Sequence, residues 1–450
     1  MTAEQISAYR PKNVRRSVFY MYPNGSAPLT GLLTMMKDEV TNDPEYKQWE
    51  KRMVEQRTTM AYASGTTSFG TVDSSFVFTA AVANFVFVVG TQYGVAVAAG
   101  GTAQFRVGQI IKFSVINTSA GNEEIQGIIT YVDAANNRLS FKVIKGSVVN
   151  ADFDALTIGR EILAIGTAQA EGGSSNSSSP QLSTMEVYNA PIGITNYTGI
   201  FTSNWRITGT AGKTAAWFDT RGVDPDQAKE AAVNYSRYME YAFIFGEKSE
   251  VVVSPTDVTR TTGGVLYWLR LWEAGATYGN SPATADSDDT KRIIVNSSGI
   301  LSRKTYQSIY LERAFRHCRN KQSEMICFCG NGFLATLGEM YGNAKMFTAT
   351  MPDKSTFGMQ VVAHTTSFGT VYYKTHPLFN LNSTMRYNGL FLDIPCLKYR
   401  YMAGRDTVCR KNLQLPNADL VEDGWFSESG LEFVSPESHL YLQNVTDWAP

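Results

Sequence analysis

Residues 224–246 read D-P-D-Q-A-K-E-A-A-V-N-Y-S-R-Y-M-E-Y-A-F-I-F-G, and they carry the strongest helix signal in the chain. Asp224 suits the N-cap, Pro225 the first helical position, and Gln227 completes a capping box. Gly246 offers a left-handed stop. No Gly or Pro interrupts residues 226–245, a run of roughly 30 Å at 1.5 Å per residue. Ala228, Ala231, Tyr235, Met239, Ala242 and Phe245 recur at three- and four-residue steps and form one apolar stripe. Lys229, Ser236 and Glu240 fall on the other side. A helix with one such stripe needs a sheet to lie on.

The flanking sequence supplies strands. Before the helix, residues 186–222 have a mixed-strand texture that includes N-Y-T-G-I-F-T-S-N-W-R-I-T-G-T-A. After it, residues 251–253 read as a strand and 263–272 (G-G-V-L-Y-W-L-R-L-W) as a strongly apolar segment. Residues 274–290 form a loop with acidic Asp286, Asp288 and Asp289. A second helix is expected over 302–320, a buried strand over 325–329 and a third helix over 332–341. Paired strands follow at 359–373 about Phe368-Gly369, then strands at 389–401 and 431–444. The class is α+β with much antiparallel sheet.

The texture changes over residues 85–165. Short runs such as F-R-V-G-Q-I-I-K-F-S-V, I-Q-G-I-I-T-Y-V-D and R-L-S-F-K-V-I-K-G alternate with turns, and Asn136-Asn137 marks a hairpin. No helix signal appears there. The segment closes on E-G-G-S-S-N-S-S-S-P at 171–180, a flexible linker. An inserted small β-barrel or sandwich is the simplest account. Residues 74–105 carry no charge, but Gly, Asn and Gln interrupt them, so two buried strands fit better than a membrane span. Further upstream, 43–57 is a charged helix or turn and 29–37 a short amphipathic piece. Residues 1–41 form an extended arm bearing Arg10, Lys12, Arg15 and Arg16.

Composition excludes several classes. Against 40 Lys+Arg stand 41 Asp+Glu, which argues against a dedicated nucleic-acid binder and against a disordered acidic chain. Five cysteines make no even disulfide framework, so free thiols are expected. The first 16 residues lack the apolar core of a signal peptide. Three motifs resemble chemistry and fall short. G-T-A-G-K-T at 209–214 ends like a phosphate loop, but Ile207 stands where the first Gly is needed. G-N-G-F-L-A at 330–335 matches a dinucleotide turn without the following acidic strand end, and reads as a tight strand-to-helix turn. Cys327 and Cys329 point one way on a strand, at no standard zinc spacing. The four histidines are scattered. No catalytic, cofactor or metal residue is therefore assigned, and the chain is read as no enzyme.

The order of elements then becomes recognisable. A basic arm leads to A-P-L-T-G-L-L and D-P-E-Y-K-Q-W-E. A β insertion opens on F-R-V-G-Q-I-I and closes on I-G-T-A-Q-A-E-G. N-Y-T-G-I-F and T-G-T-A precede the capped helix ending M-E-Y-A-F-I-F-G, and T-R-T-T-G-G, F-C-G-N-G, F-G-T-V, L-F-L-D and E-S-G-L-E-F follow. In this order the chain resembles major capsid proteins of tailed bacteriophages with the Hong Kong 97-like fold, of the short-tailed-phage type with an inserted β module. That resemblance implies an N-terminal arm and adjoining helix at 1–56 and extended-loop strands at 57–84 and 182–222. It puts the inserted domain and linker at 85–181, and a spine helix with its peripheral domain at 223–262. An axial domain at 263–380 and closing peripheral strands at 381–450 complete it. It also implies self-assembly as hexamers and pentamers into an icosahedral virion shell, built in the host cytoplasm around double-stranded DNA. Scaffolding, portal and decoration proteins are the implied partners, with no membrane and no cofactor. Arg10, Lys12, Arg15 and Arg16 become an assembly arm, and Asp224, Pro225, Ala228, Tyr235, Met239 and Phe245 the spine helix. A tail or adhesin component and a nucleotide-binding enzyme are the rival readings.

Overall fold

A computed structural model describes residues 28–35, 38–51, 57–59, 92–97, 104–113, 116–118, 121–133, 137–145, 161–168, 191–213, 223–254, 257–275, 277–278, 290–318, 323–342 and 362–449. The arm residues Arg10, Lys12, Arg15 and Arg16, most of the uncharged run at 74–105 and the linker at 171–180 lie outside them. The chain divides into two compact units, Lys51–Pro191 and Met1–Glu50 with Ile192–Pro450.

The Lys51–Pro191 unit is built on a six-stranded antiparallel sheet. Its spatial order is Arg57–Thr59, Glu161–Thr167, Gln109–Phe113, Gln126–Asp133, Arg138–Lys145, Gln92–Ala96. Alternation sets the faces: Gln109, Ile111 and Phe113 point in, with Ile110 and Lys112 between them. Phe105, Ile129, Leu139, Phe141 and Ile162 complete the core, and the Phe113 and Phe141 rings meet at 4.8 Å. Gln126–Asp133 and Arg138–Lys145 pair antiparallel, as the expected hairpin requires, and of its two turn residues Asn137 is among those described. Asn137 takes a φ of +52°, a left-handed value that Asn tolerates.

The other unit holds two main sheets. In the first, the 14-residue strand Leu420–Phe433 is the backbone. Gly199–Thr208 pairs along it over ten residues on one side, and Leu397–Met402 and Val408–Arg410 pair on the other. Glu39–Thr41 adds a parallel edge to Leu397–Met402. The second sheet runs Ile293–Val295, Leu440–Gln443, Gly389–Leu392, Glu324–Cys329, Thr370–Thr375, Val362–Thr365. Two apolar cores follow. One surrounds Tyr235, Phe243, Trp268, Leu431 and Phe433; the other surrounds Tyr306, Cys327, Phe333, Leu337 and Phe391. The fold is mixed α+β, as expected.

The long helix spans Val223–Phe245, 23 residues. It starts one residue before Asp224, so Asp224 and Pro225 lie in its first turn, within the usual scatter of helix ends. Gly246 ends it for a different reason from the one expected. Gly246 is not among the positive-φ glycines; instead a Cβ there would strike the Ala242 carbonyl and lie 2.6 Å from the Thr262 oxygen. A Cβ on Gly264 would lie 2.6 Å from the Ala242 oxygen and 2.8 Å from that of Phe243. Gly264 N donates to the Gly246 oxygen at 2.8 Å. Two glycines thus let the end of the long helix touch the start of the next helix, Val265–Ala274, backbone to backbone.

Residues 43–57 do not bear out a helix or turn throughout. Glu45–Glu50 is a strand, antiparallel to Ile192–Tyr197, with Tyr46, Gln48 and Glu50 inward. Two of the three inward residues are polar, so no apolar alternation announces the strand. Their burial is met by partners: Gln48 donates to the Phe433 carbonyl, and Glu50 accepts from Ser435 N at 3.1 Å. The second helix is also irregular. A π turn at Tyr306–Leu311 separates Arg303–Thr305 from Glu312–Arg316 and keeps both Tyr306 and Leu311 buried.

The sheet of the Lys51–Pro191 unit carries its own core, so it is expected to fold alone. Residues 51–191 expressed separately should show a β-type circular dichroism spectrum and a cooperative melt. A chain of residues 85–166 lacks the Arg57–Thr59 edge strand and should melt several degrees lower; a disordered spectrum from 51–191 would overturn this.

Candidate functional site

With no catalytic constellation in the sequence, the site that matters is the set of contacts that fixes the long helix to its surroundings. Ala231, Tyr235, Met239, Phe243 and Ile244 are its buried apolar residues. Ala228, Ala242 and Phe245 are half-buried and Pro225 is exposed, so the inward face drifts toward Phe243 and Ile244 at its end. Tyr235 lies against the Leu420–Phe433 strand. Its hydroxyl bonds Ser427 Oγ and sits 3.2 Å from Thr407 Oγ1, its ring is 6.5 Å from that of Trp425, and burial raises its pKa. Phe243 sits between the rings of Phe201 and Tyr399, and Phe245 meets Phe379 edge-on.

Glu240 is not on the outer side where the stripe puts it. It is 1% exposed. Oε1 accepts from Leu29 N at 2.9 Å and lies 2.6 Å from His376 Nε2; Oε2 accepts from Thr30 N at 2.7 Å and Thr30 Oγ1 at 2.6 Å. Leu29 and Thr30 lie in the first turn of the helix Pro28–Met35, whose amides have no partner inside their own helix. Pro28 heads this helix in the position where a missing N–H costs nothing. The carboxylate thus caps a helix some two hundred residues away. His376 Nδ1 accepts from Leu378 N at 3.1 Å and so caps a second short helix, Pro377–Leu381. Because Nδ1 accepts, Nε2 carries the proton and donates to Glu240.

Two further polar hubs join distant segments. Asn196, 2% exposed, donates to the Leu431 and Gly263 carbonyls at 2.9 and 3.1 Å and accepts from Gly263 N at 2.8 Å. It holds the turn on which the Gly264 approach depends. Arg400 pairs with Glu432 and, at 2.8 Å, with Glu39, while Lys398 reaches Glu39 at 2.5 Å. Glu432 is 5% exposed, so this pairing is largely out of water. The Tyr46 ring lies beneath the Arg400 guanidinium, 5.2 Å away, and its hydroxyl donates to the Leu431 carbonyl.

Apolar spacing in the sequence marks the helix but not these hubs. A signal for Glu240 was present: it is the only charge in M-E-Y-A-F-I-F, residues 239–245. The chemical look-alikes fall in packed places. The turn at Gly330 lies against the backbone of Arg386, and Gly332 against the Tyr387 ring, where a pyrophosphate would have to sit. Gly209 lies against the Asp419 carboxylate, which repels phosphate. Cys327 and Cys329 are buried in an apolar core that pushes the Cys327 thiol well up, away from the thiolate a metal needs. Among the described residues no helix is long and apolar enough to cross a membrane.

A protein family described as SU10 major capsid protein matches residues 4–446. A search of curated proteins returns no match. Among solved structures, the capsid of Myoviridae phage XM1 is 9% identical, with 98% of each chain covered and a TM-score of 0.39. The cyanophage Pam1 capsid is 10% identical over 62% of this chain and 83% of that one, at a TM-score of 0.36. The capsid of an empty GTA particle is 11% identical over 60% and 80%, at 0.38.

Two stability effects follow. Tyr235→Ala empties a buried aromatic site and should cost about 3–5 kcal/mol, while Tyr235→Phe leaves Ser427 unpaired and should cost about 1–2 kcal/mol, both read by denaturant melts. His439 is fully buried, accepts from Asp393 N through Nδ1, and has its pKa pushed down to about 3 by desolvation, with Arg292 adding to the effect. An ordinary histidine titrates near 6.5, so the unfolded chain binds this proton first. The stability contribution is complete above about pH 6.5 and falls as pH drops toward 3, by on the order of a few kcal/mol. His439→Asn should flatten the pH dependence of the melting temperature between pH 6.5 and 4; an unchanged slope would refute this.

Proposed function

Because the chain belongs to the SU10 major capsid protein family, it is a major capsid protein and a component of the virion shell, and we propose that its copies associate as hexamers and pentamers into an icosahedral shell around double-stranded phage DNA. The family match over residues 4–446 is the observation that carries this reading. The role is structural. In the Hong Kong 97-like reading, Val223–Phe245 is the spine helix on the peripheral sheet of Leu420–Phe433. The Glu324–Cys329 sheet belongs to the axial domain, and the Lys51–Pro191 unit contains the insertion. An even balance of 40 Lys+Arg and 41 Asp+Glu lets many copies pack without strong mutual repulsion.

The basic arm, with Arg10, Lys12, Arg15 and Arg16, acts between subunits or against packaged DNA, where it would meet phosphate without reading sequence. A scaffolding protein, a portal and a decoration protein are the partners this class of shell calls for, with assembly in the host cytoplasm.

Negative-stain microscopy of the purified protein tests the reading directly. Closed shells or sheets of hexameric rings are expected; tubes or fibres would favour a tail or adhesin component. Deleting residues 1–24 should leave the melting temperature of the unassembled subunit within about 2 °C, since an arm of turn and basic residues carries no core of its own. The same deletion should cut particle yield sharply. Normal shells from the truncated chain would remove the arm from assembly.

A further inference from the structure

We infer that Glu240 and His376 form a latch that holds the N-terminal helix Pro28–Met35 on the subunit body and makes its docking depend on the seat of the Pro377–Leu381 helix. The argument rests on what the two side chains join. Glu240 comes from the long helix, Leu29 and Thr30 from the first helix, and His376 from the end of the strand Thr370–Thr375. His376 is itself fixed from three sides. Its backbone N donates to the Cys329 carbonyl at 2.8 Å, its Nδ1 caps Leu378, and its ring lies edge-on to Phe328 and Phe379. The two short helices therefore share one buried carboxylate–imidazole pair as their N-terminal cap.

The first helix is held at its first turn by the bonds of Leu29 and Thr30 to Glu240. Leu29 and Leu33, both 0% exposed, add an apolar hold. At eight residues it is too short to persist as an isolated helix in water. Once its cap is lost, the helix can leave while the long helix stays on its sheet. Undocking removes no strand from the Leu420–Phe433 sheet. Residues 36 and 37 alone separate the helix from the segment that begins at Asp38 and carries the edge strand Glu39–Thr41, so an undocked helix stays tethered close to its own body. A latch of this kind sets whether the N-terminal segment is held or free on the unassembled subunit.

The donor count makes the latch sensitive to a single atom. All four groups facing Glu240 donate: two amides, the Thr30 hydroxyl and His376 Nε2–H. A glutamine at this position must turn its NH2 toward one of the two donor pairs, so it fits in neither orientation.

Hydrogen exchange by mass spectrometry on the full-length, unassembled subunit tests this, without depending on shell formation. Three variants are compared with the parent: Glu240→Gln, His376→Asn and Thr30→Val. Asn is itself a favoured N-cap, so His376→Asn keeps a cap for Pro377–Leu381 while losing reach to Glu240. In Glu240→Gln and His376→Asn the amides of residues 28–35 should exchange at least about tenfold faster, a shift corresponding to roughly 1.4 kcal/mol. Thr30→Val should give a smaller increase, because both amide bonds remain. Amides of residues 231–245 and 420–433 should keep parental protection in all three. Unchanged exchange at 28–35 in His376→Asn would overturn the coupling between the two helices. Loss of protection at 420–433 together with 28–35 would overturn the latch and make the pair an ordinary part of the global core. If Glu240→Gln does not fold, the His376→Asn and Thr30→Val arms decide between these outcomes.

Discussion

A carboxylate with 1% exposure has to find its hydrogen bonds inside the protein, and Glu240 finds four. Burying an ionised group without partners costs many kcal/mol, so its surroundings cannot be arbitrary. The donors come from residues 29, 30 and 376, on either side of the long helix in sequence. Three segments that share no strand pairing with one another are thereby fixed at one point. The helix dipole adds to the fit, because the positive end of Pro28–Met35 faces the negative carboxylate.

The same logic recurs where the main chain folds back on itself. Asn196 binds Gly263 from both its amide and its carbonyl side, Glu50 takes the amide of Ser435, and Glu432 with Arg400 ties in the edge strand at Glu39. Ser435 sits at a φ of +57°, an uncommon value for a serine, and its amide is held there by Glu50. Apolar burial supplies most of the driving force in a subunit like this one. The buried polar groups decide which of many compact arrangements is taken, because each leaves an unpaired group behind in the wrong one.

The legible part of the fold was the part that apolar periodicity writes down. The long helix, the hairpin at Asn137, the buried strand at Glu324–Cys329 and the helix after Gly330 all announced themselves by spacing and turn residues. The strand Glu45–Glu50 did not, because its inward positions include Gln48 and Glu50, which read as surface. Glu240 was placed on the wrong side for the same reason: a charge is assigned to solvent until its partners are known, and those partners lie over a hundred residues away. Gly246 was given a left-handed role when its value lies in having no Cβ beside Gly264, a contact between two helices that no local pattern encodes.

A shell subunit faces a conflict between stability and adaptability. Copies at different places in a closed shell meet neighbours at different angles, so segments that contact neighbours have to move while the body stays fixed. In the proposed shell, this chain would divide the two duties by chemistry. The long helix and the strand Leu420–Phe433 are joined through large buried side chains, Tyr235, Phe243, Leu431 and Phe433, whose loss opens cavities. The first turn of the N-terminal helix is instead joined through the Glu240 carboxylate. Hydrogen bonds to a charged group are directional, and a shift of about an ångström breaks them, whereas packed apolar surfaces yield by sliding. An attachment that is strong in one geometry and weak in every other suits a segment that must be either held or free.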